Sequence, residues 1–303
     1  MPAAMAALDV YSFGVVSSST LYVFKGDFPA PDCYAEIDDV RHMVGGEAAN
    51  SSIVLARLGA RVKLDGNWLG DDDGGIRTKA LLDGFGIDTS RIELKDGYQG
   101  VLEAVFAAAE TRTIFGRYGH LLEREDWNMP ISDDVRQART VCLDPFFTEA
   151  SRRVAEIASG SGVPAVTVDC LVDDPLLQYV SAVVISHNFI QWKYPGRRLE
   201  DLFRAYLDAT DGLVVFTFGG RDIWYGRPGK IILKRSAFSV KAIDTSAAGD
   251  SFRAGIVYGF LHGWDDSRTV EFAAAVAGIV CTRYPGAMHS PSYDEVADFL
   301  SAQ

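Results

Sequence analysis

The chain has 303 residues, of which 48% are hydrophobic, with 29 Lys and Arg against 41 Asp and Glu and a net charge of −12. That apolar share supports a large core, and the length suits one α/β domain (1–303) with a small appendage. Without Lys/Arg clusters nucleic acid is excluded as the partner, and without an apolar run of ~20 residues so is a bilayer span.

Met1 to Val16 has no basic segment followed by a long apolar core, so no signal peptide is expected, and Leu8 to Val16 predicts a first buried strand. Leu21 to Val44 is rich in Pro, Asp and aromatic residues. Gly45-Gly46-Glu47-Ala48-Ala49-Asn50 then opens a helix, with Ala49, Ile53, Ala56 and Ala60 at helical spacing and Gly59 as terminator. Its first turn carries Glu47 and Asn50, polar groups suited to a hydroxylated ligand. Asp71-Asp72-Asp73-Gly74 lacks calcium-loop spacing and reads as a turn. Gly97 to Arg117 alternates like paired strands, with Val101, Glu103 and Val105 and then Thr111, Thr113 and Phe115 on one face. With Leu21 to Val44 it reads as an antiparallel flap, or equally as an edge hairpin.

Short β-branched runs follow at Thr140 to Leu143, Ala165 to Val168, Ala182 to Ile185 and Leu213 to Thr217. Helical patterns separate them at Thr148 to Ala158 and Leu199 to Leu207. This alternation predicts a parallel sheet covered on both faces, with ligands at the carboxyl ends of its strands. Further helices are expected over Ser251–Leu261, Arg268–Cys281 and Tyr293–Leu300. Cys142 and Cys170 lie in apolar strand-like runs and read as small core residues. With no Cys-x-x-Cys pair, a reducing cytoplasm is the expected compartment.

The most informative stretch is Asp-Thr-Ser-Ala-Ala-Gly-Asp-Ser-Phe-Arg-Ala-Gly, residues 244–255. A turn of Ala247, Ala248 and Gly249 lets backbone N–H groups face a ligand, and a helix start adds free donors and a positive dipole end. Asp250 beside that anion site is a candidate proton acceptor, and the pairing suits phosphoryl transfer to an alcohol. Taken alone, the same turn is also an ordinary N-cap. P-loop, protein-kinase and serine-hydrolase signatures are absent from the sequence.

Together these motifs resemble the PfkB-type, ribokinase-like carbohydrate kinases. The resemblance rests on Gly45-Gly46-x3-Asn50 with Ala56-Arg57-Leu58-Gly59, on Leu69-Gly70-Asp71-x2-Gly74, on Gly86-Ile87-Asp88-Thr89, and on Asp244-Thr245-x-Ala247-Ala248-Gly249-Asp250-x-Phe252 with Gly255. It implies a ribokinase-like α/β fold whose lid, formed by about 18–44 and 97–117, covers the sugar and joins a homodimer. ATP and Mg²⁺ are the implied cofactors, the Mg²⁺ riding on the nucleotide phosphates with no direct protein ligand, with Asp250 as general base and the Ala247–Asp250 turn as anion hole. It implies Gly46, Glu47, Asn50 and Ser19 at the sugar, though Glu47 reads equally as a solvated first-turn acid near the helix dipole. A phosphosugar would need basic anchors, for which Arg112 and Arg117 are candidates; both also read as exposed lid charges. On the nucleotide side it implies Thr217, Gly220 and Asn188, with Ala274, Ala277 and Gly278 near the adenine; a simple turn at 219–220 and close helix packing explain these residues equally well. Asp244 and the Ser246 backbone fall in the loop matching a monovalent-cation (K⁺) site.

Two departures stand out. Gln191 replaces the acid of the Asn-x-x-Glu motif, as in ketohexokinase-like members, and Ser19 stands where relatives often carry a sugar-binding Asp. The expected function is therefore an ATP-dependent kinase for a small sugar or sugar derivative. A nucleoside kinase of the same family and a catalytically silent sugar-binding module are the alternatives.

Overall fold

A computed structural model describes residues 8–108 and 111–303. Met1–Ala7, part of the segment read for a signal peptide, and residues 109–110, within the expected flap, lie outside the described residues. The first half contains β1 (Val10–Gly14), β2 (Ser17–Phe24), β3 (Ile37–Gly45), α1 (Glu47–Arg57), β4 (Val62–Gly66), β5 (Leu69–Gly70), α2 (Asp73–Gly84), β6 (Leu94–Lys95), β7 (Leu102–Ala108), β8 (Thr111–Arg117), α3 (Gly119–Arg124) and α4 (Ser132–Gln137). The second half contains β9 (Thr140–Leu143), α5 (Thr148–Gly160), β10 (Ala165–Val168), β11 (Ala182–Ser186), α6 (His187–Lys193), α7 (Leu199–Ala209), β12 (Leu213–Thr217), β13 (Asp222–Gly226), β14 (Leu233–Ser236), α8 (Ala248–Leu261), α9 (Asp266–Cys281) and α10 (Tyr293–Ser301).

The main sheet has eight strands in the order β14-β13-β12-β11-β10-β9-β1-β4. From β12 to β4 every neighbour is parallel, while β13 and β14 add an antiparallel edge. Alternate residues of each strand feed opposite cores. Cys142, Val166 and Val184 pack with α1, α8, α9 and α10 on one face. Val141, Leu143, Val183 and Ile185 pack with α5 and α7 on the other. Burial on both faces explains why these strands read as unbroken apolar runs.

The lid is a separate four-stranded sheet, β3-β2-β7-β8. It is mixed, not antiparallel throughout, because β2 and β7 pair in parallel. The register also corrects the expected face: Val105 lies opposite Ile114, and Ala107 opposite Arg112. Ile114 and Arg112 therefore share the inner side with Glu103 and Val105, while Thr113 and Phe115 join the outer one. Other boundaries move as well; the first strand, for one, is Val10–Gly14 rather than Leu8 to Val16. Asp71–Gly74 is no mere turn: Asp72 caps α2, accepting from the Gly75 N–H at 2.8 Å. Ala60 lies beyond α1, which stops at Arg57 before Gly59 turns the chain with φ 94°. Finally, α8 starts at Ala248 rather than Ser251, because Ala247 takes the left-handed conformation (φ 57°) and reverses the chain.

Candidate active site

A cavity of about 950 Å³ opens between the carboxyl ends of the sheet strands and the inner face of the lid. Its walls include Ser19, Gly45, Gly46, Glu47, Asn50, Glu103 and Arg112 at the lid end. Asp169, Asn188, Thr217 and Gly219 line the opposite end, and Asp244 to Asp250 run between.

The early start of α8 puts Asp250 in the first helical turn. The first intrahelical bond to reach back runs from Ser251 N–H to the Ala247 carbonyl at 2.9 Å. Among the described residues no acceptor pairs with the N–H groups of Ala247, Gly249 or Asp250. Ala248, expected in the same anion hole, is not free: its N–H donates to the Thr245 carbonyl at 3.3 Å. The remaining three are unpaired donors at a helix start, an arrangement that suits an anion. Asn50 Nδ2 donates to Asp250 Oδ2 at 2.9 Å, across 200 residues of sequence. The carboxyl lies deep in the site, with part of its surface open to the cavity. Burial pushes its pKa up to about 7, against the pull of the Arg253 charge and the Asn50 hydrogen bond. Glu47, at the start of α1, is raised well above the ordinary carboxylate range, chiefly by burial and then by the charges of Asp144 and Asp250.

Behind these groups lies a network that motif reading missed. Arg253, on the inward side of α8, is wholly buried and ion-paired with the equally buried Asp144 at the end of β9. Its Nη2 also donates to the Glu47 carbonyl at 2.6 Å and to Ser51 Oγ at 2.8 Å. The other oxygen of Asp144 accepts the N–H groups of Val15 at 2.7 Å and Ala48 at 3.1 Å. Ser51 Oγ in turn donates to the Asp250 carbonyl at 3.0 Å. One ion pair thus fixes the end of β1, the start of α1, the end of β9 and the start of α8. An arginine inside an otherwise apolar helix was the available signal, since Arg is almost never fully buried unless paired.

The loop before α8 is anchored from two sides. Asp244 accepts the Ser246 N–H at 2.7 Å and the Gly286 N–H at 3.1 Å. Arg112 reaches across from the lid, and its Nη1 donates to Ser246 Oγ at 2.7 Å. At the far end, Asp169 follows β10 with φ 41° and accepts from Ser186 N–H at 2.6 Å and Ser186 Oγ at 2.8 Å. Burial raises its pKa. Asn188 and Thr217 stand on the wall, but Gly220, Ala274, Ala277 and Gly278 do not. Gly220 is exposed beyond the turn, and Ala274 is only 5% exposed within the α8–α9 core. The half-buried Gly278 sits under Phe238 and Val240. Gln191 is exposed and off the wall.

Sheet order and lid define a ribokinase-like α/β fold. The chain aligns structurally over 98% of its length with a putative ribokinase from Agrobacterium tumefaciens (TM-score 0.89, 22% identity, 98% of that chain covered). It aligns over the same share with Arabidopsis thaliana ribokinase complexed with ribose and ATP (TM-score 0.82, 19% identity, 99% of that chain covered). The chain belongs to the pfkB family of carbohydrate kinases, whose model matches residues 9–292. Its relatives include an ATP-dependent ribose-1-phosphate kinase of Halopiger xanaduensis, 30% identical over 90% of this chain and 92% of that protein. A nucleoside kinase of Methanothermobacter thermautotrophicus is 27% identical over 91% of each. The protein is thus an enzyme that transfers phosphate from ATP to a hydroxyl of a small sugar-like acceptor.

Proposed function

We propose that Asp250 takes the proton from the acceptor hydroxyl as that oxygen attacks the γ-phosphorus of ATP. The bond from the γ-phosphorus to its bridging oxygen breaks, and ADP leaves with that electron pair. The free N–H groups of Ala247, Gly249 and Asp250 hold the transferred phosphoryl oxygens while charge redistributes among them. The observation that carries this reading is the juxtaposition of those unpaired donors with a carboxyl titrating near neutrality. A base with a pKa near the working pH is well matched to proton abstraction. Asn50 fixes the carboxylate's orientation, and Gly46, Glu47 and Ser19 border the acceptor.

Thr217 and Asn188 border the nucleotide phosphates. Asp169 fits a magnesium ion arriving with ATP, since it offers hard carboxylate oxygens at a neighbouring strand end. When bound, that ion neutralises phosphate charge; Gln191, lacking a carboxylate and lying off the wall, leaves Asp169 as the local acid. A K⁺ ion would belong beside Asp244 and Ser246, and activity in KCl against tetramethylammonium chloride tests for it. Four unpaired thiols suit the cytoplasm.

The acceptor is a free sugar or a sugar derivative. The Halopiger relative favours a phosphosugar, with Arg112 as the cationic side chain on the cavity wall that would meet its phosphate. The second reading, a nucleoside, draws on the relative from Methanothermobacter and on the apolar Met43, Ile114, Phe146 and Met288 of the wall. An ATP-consumption screen over aldoses, ketoses, sugar phosphates and nucleosides separates these readings, and no turnover with any of them rejects the kinase assignment for this site.

The outer side of the lid suits a homodimer. There Phe24, Phe28, Phe106 and Phe115 form one aromatic cluster, with Phe28 42% and Phe115 57% exposed. Sedimentation should give a dimer that Phe115→Glu converts to monomer; a monomeric unsubstituted chain rejects this assembly.

A further inference from the structure

The segment that follows α9 carries a side chain that the chemical step does not call for. Leu21 of β2, Met43 of β3 and Val105 of β7 form a small apolar cluster on the inner face of the lid, apart from the two cores of the body. Among the described residues Tyr284 is the one body residue that packs against it, beside Val23 and Ala107 of the lid. Arg41, the cross-strand partner of Leu21, holds its guanidinium 4.8 Å from the centre of the same ring. Leu21, Met43 and Val105 are 3%, 8% and 4% exposed, so with Tyr284 in place the cluster is closed to water. The Tyr284 hydroxyl is buried and has no hydrogen-bond partner among the described residues. The ring rather than the hydroxyl therefore makes the contact, since an unmade buried hydroxyl is a net cost to the fold.

The same segment runs against the loop that leads into the anion site. Pro285 and Gly286 line the cavity. The Gly286 N–H donates to Asp244 at 3.1 Å, and the N–H groups of Ile243 and Asp244 donate to the Cys281 carbonyl at 2.7 and 3.2 Å. A Cβ on Gly286 would lie 3.3 Å from the Ser246 carbonyl, so the two segments lie side by side. The next residue, Ala247, opens the turn with the unpaired N–H groups. Arg112 of the lid meets this loop directly at Ser246. Two lid contacts thus converge on residues 244–246, one through Tyr284 and one from Arg112. On the lid side, Leu21 stands two residues from Ser19 on the same face of β2, and Ser19 borders the acceptor in the reading above.

Resting on that kinase reading, we infer that Tyr284 is a positioning residue, the latch through which a lid closed on the acceptor seats the 243–246 loop and with it the anion site. Acceptor and nucleotide then bind with positive coupling, and by reciprocity a bound nucleotide holds the lid shut. A lid with so small a core opens locally at a lower free energy than the whole fold, and hydrogen exchange reads that opening.

The test follows exchange in peptides covering β2, β3 and β7, with and without a saturating non-hydrolysable ATP analogue and with no acceptor present. In the unsubstituted protein the analogue should slow this exchange about fivefold or more. In Tyr284→Ala the lid should exchange faster at rest, and the analogue should no longer protect it. Tyr284→Phe keeps the ring and drops only the unpartnered hydroxyl, so it should retain the parental protection and melt no lower. Leu21→Ala removes the lid half of the same contact; it should abolish protection too, and the double variant should go no further than either single one. With an acceptor that turns over, Tyr284→Ala should raise both KM values while kcat stays within about twofold, the pattern of lost binding rather than lost chemistry. The latch is overturned if the analogue leaves lid exchange unchanged in the unsubstituted protein, if it protects Tyr284→Ala equally, or if Tyr284→Phe behaves as Tyr284→Ala does. The kinase reading fails on a different result, the absence of ATP turnover by the unsubstituted protein.

Discussion

Asp250 accepts a proton only when ionised, and burial has moved its titration to about pH 7. kcat/KM should therefore fall tenfold per pH unit on the acid side of about 7 and level off above it. A profile flat down to pH 5 would remove Asp250 from the role of base. Asp250→Asn should lower kcat by ~10²–10⁴-fold while ATP-analogue affinity stays within about threefold. The same shift has a stability consequence. The folded-state value lies above the ordinary 3.8, so the folded chain keeps a proton that the unfolded chain has released. The resulting stabilisation is complete below about pH 4 and is lost as pH rises through about 7. Asp250→Asn should accordingly raise Tm at pH 8, by about 2 °C or more, and raise it far less at pH 5. A variant that loses activity and gains heat resistance would mark a residue kept at a cost to stability.

At the scale of the element, α8 and α9 meet through glycine. A Cβ on Gly255 would lie 2.4 Å from the Ala273 Cα, and one on Gly259 would lie 2.5 Å from the Thr269 side chain. Gly255→Ala should destabilise by about 1–3 kcal/mol through overpacking, seen as a lower denaturant midpoint. Arg253→Met should cost more, about 3–5 kcal/mol, because it strands the buried Asp144. Parity of either variant with the parent chain in urea would refute the corresponding packing argument. Local sequence carried much of this level. The runs at 140–143, 165–168 and 213–217 match strands to the residue, because short β-branched segments buried on both faces leave little freedom at their ends. It was silent on α2, whose first turn holds two glycines and whose Ile76 is 48% exposed, so no apolar stripe announces a helix. Nor did periodicity reveal which lid positions share a face, since that depends on the register between β7 and β8, which sets Val105 opposite Ile114. The Ala247–Asp250 turn was legible because its chemistry is contiguous. Asp144 and Arg253 were not, because each acquires meaning only from a partner distant in sequence.

Across the whole molecule, the lid joins the body through a small number of polar ties. The bond from Arg112 to Ser246 crosses the cavity and connects β8 to the loop that leads into the anion site. It lies on an exposed side chain, so its net worth is about 0.5–1.5 kcal/mol, enough to bias a lid without locking it. Arg112→Ala should speed hydrogen exchange in β8 and raise the acceptor KM, while leaving the global melting temperature within about 1 °C. Unaltered exchange in the lid would show that other contacts hold it closed.

The hydrogen bond between Asn50 and Asp250 has a temporal consequence. Its two ends leave the ribosome 200 residues apart, and the Arg253 guanidinium that braces Glu47 and Ser51 emerges with the later one. On the roles proposed above, a nascent polypeptide would hold its acceptor-binding residues long before its general base, and phosphoryl transfer would wait until α8 has emerged and docked against α1.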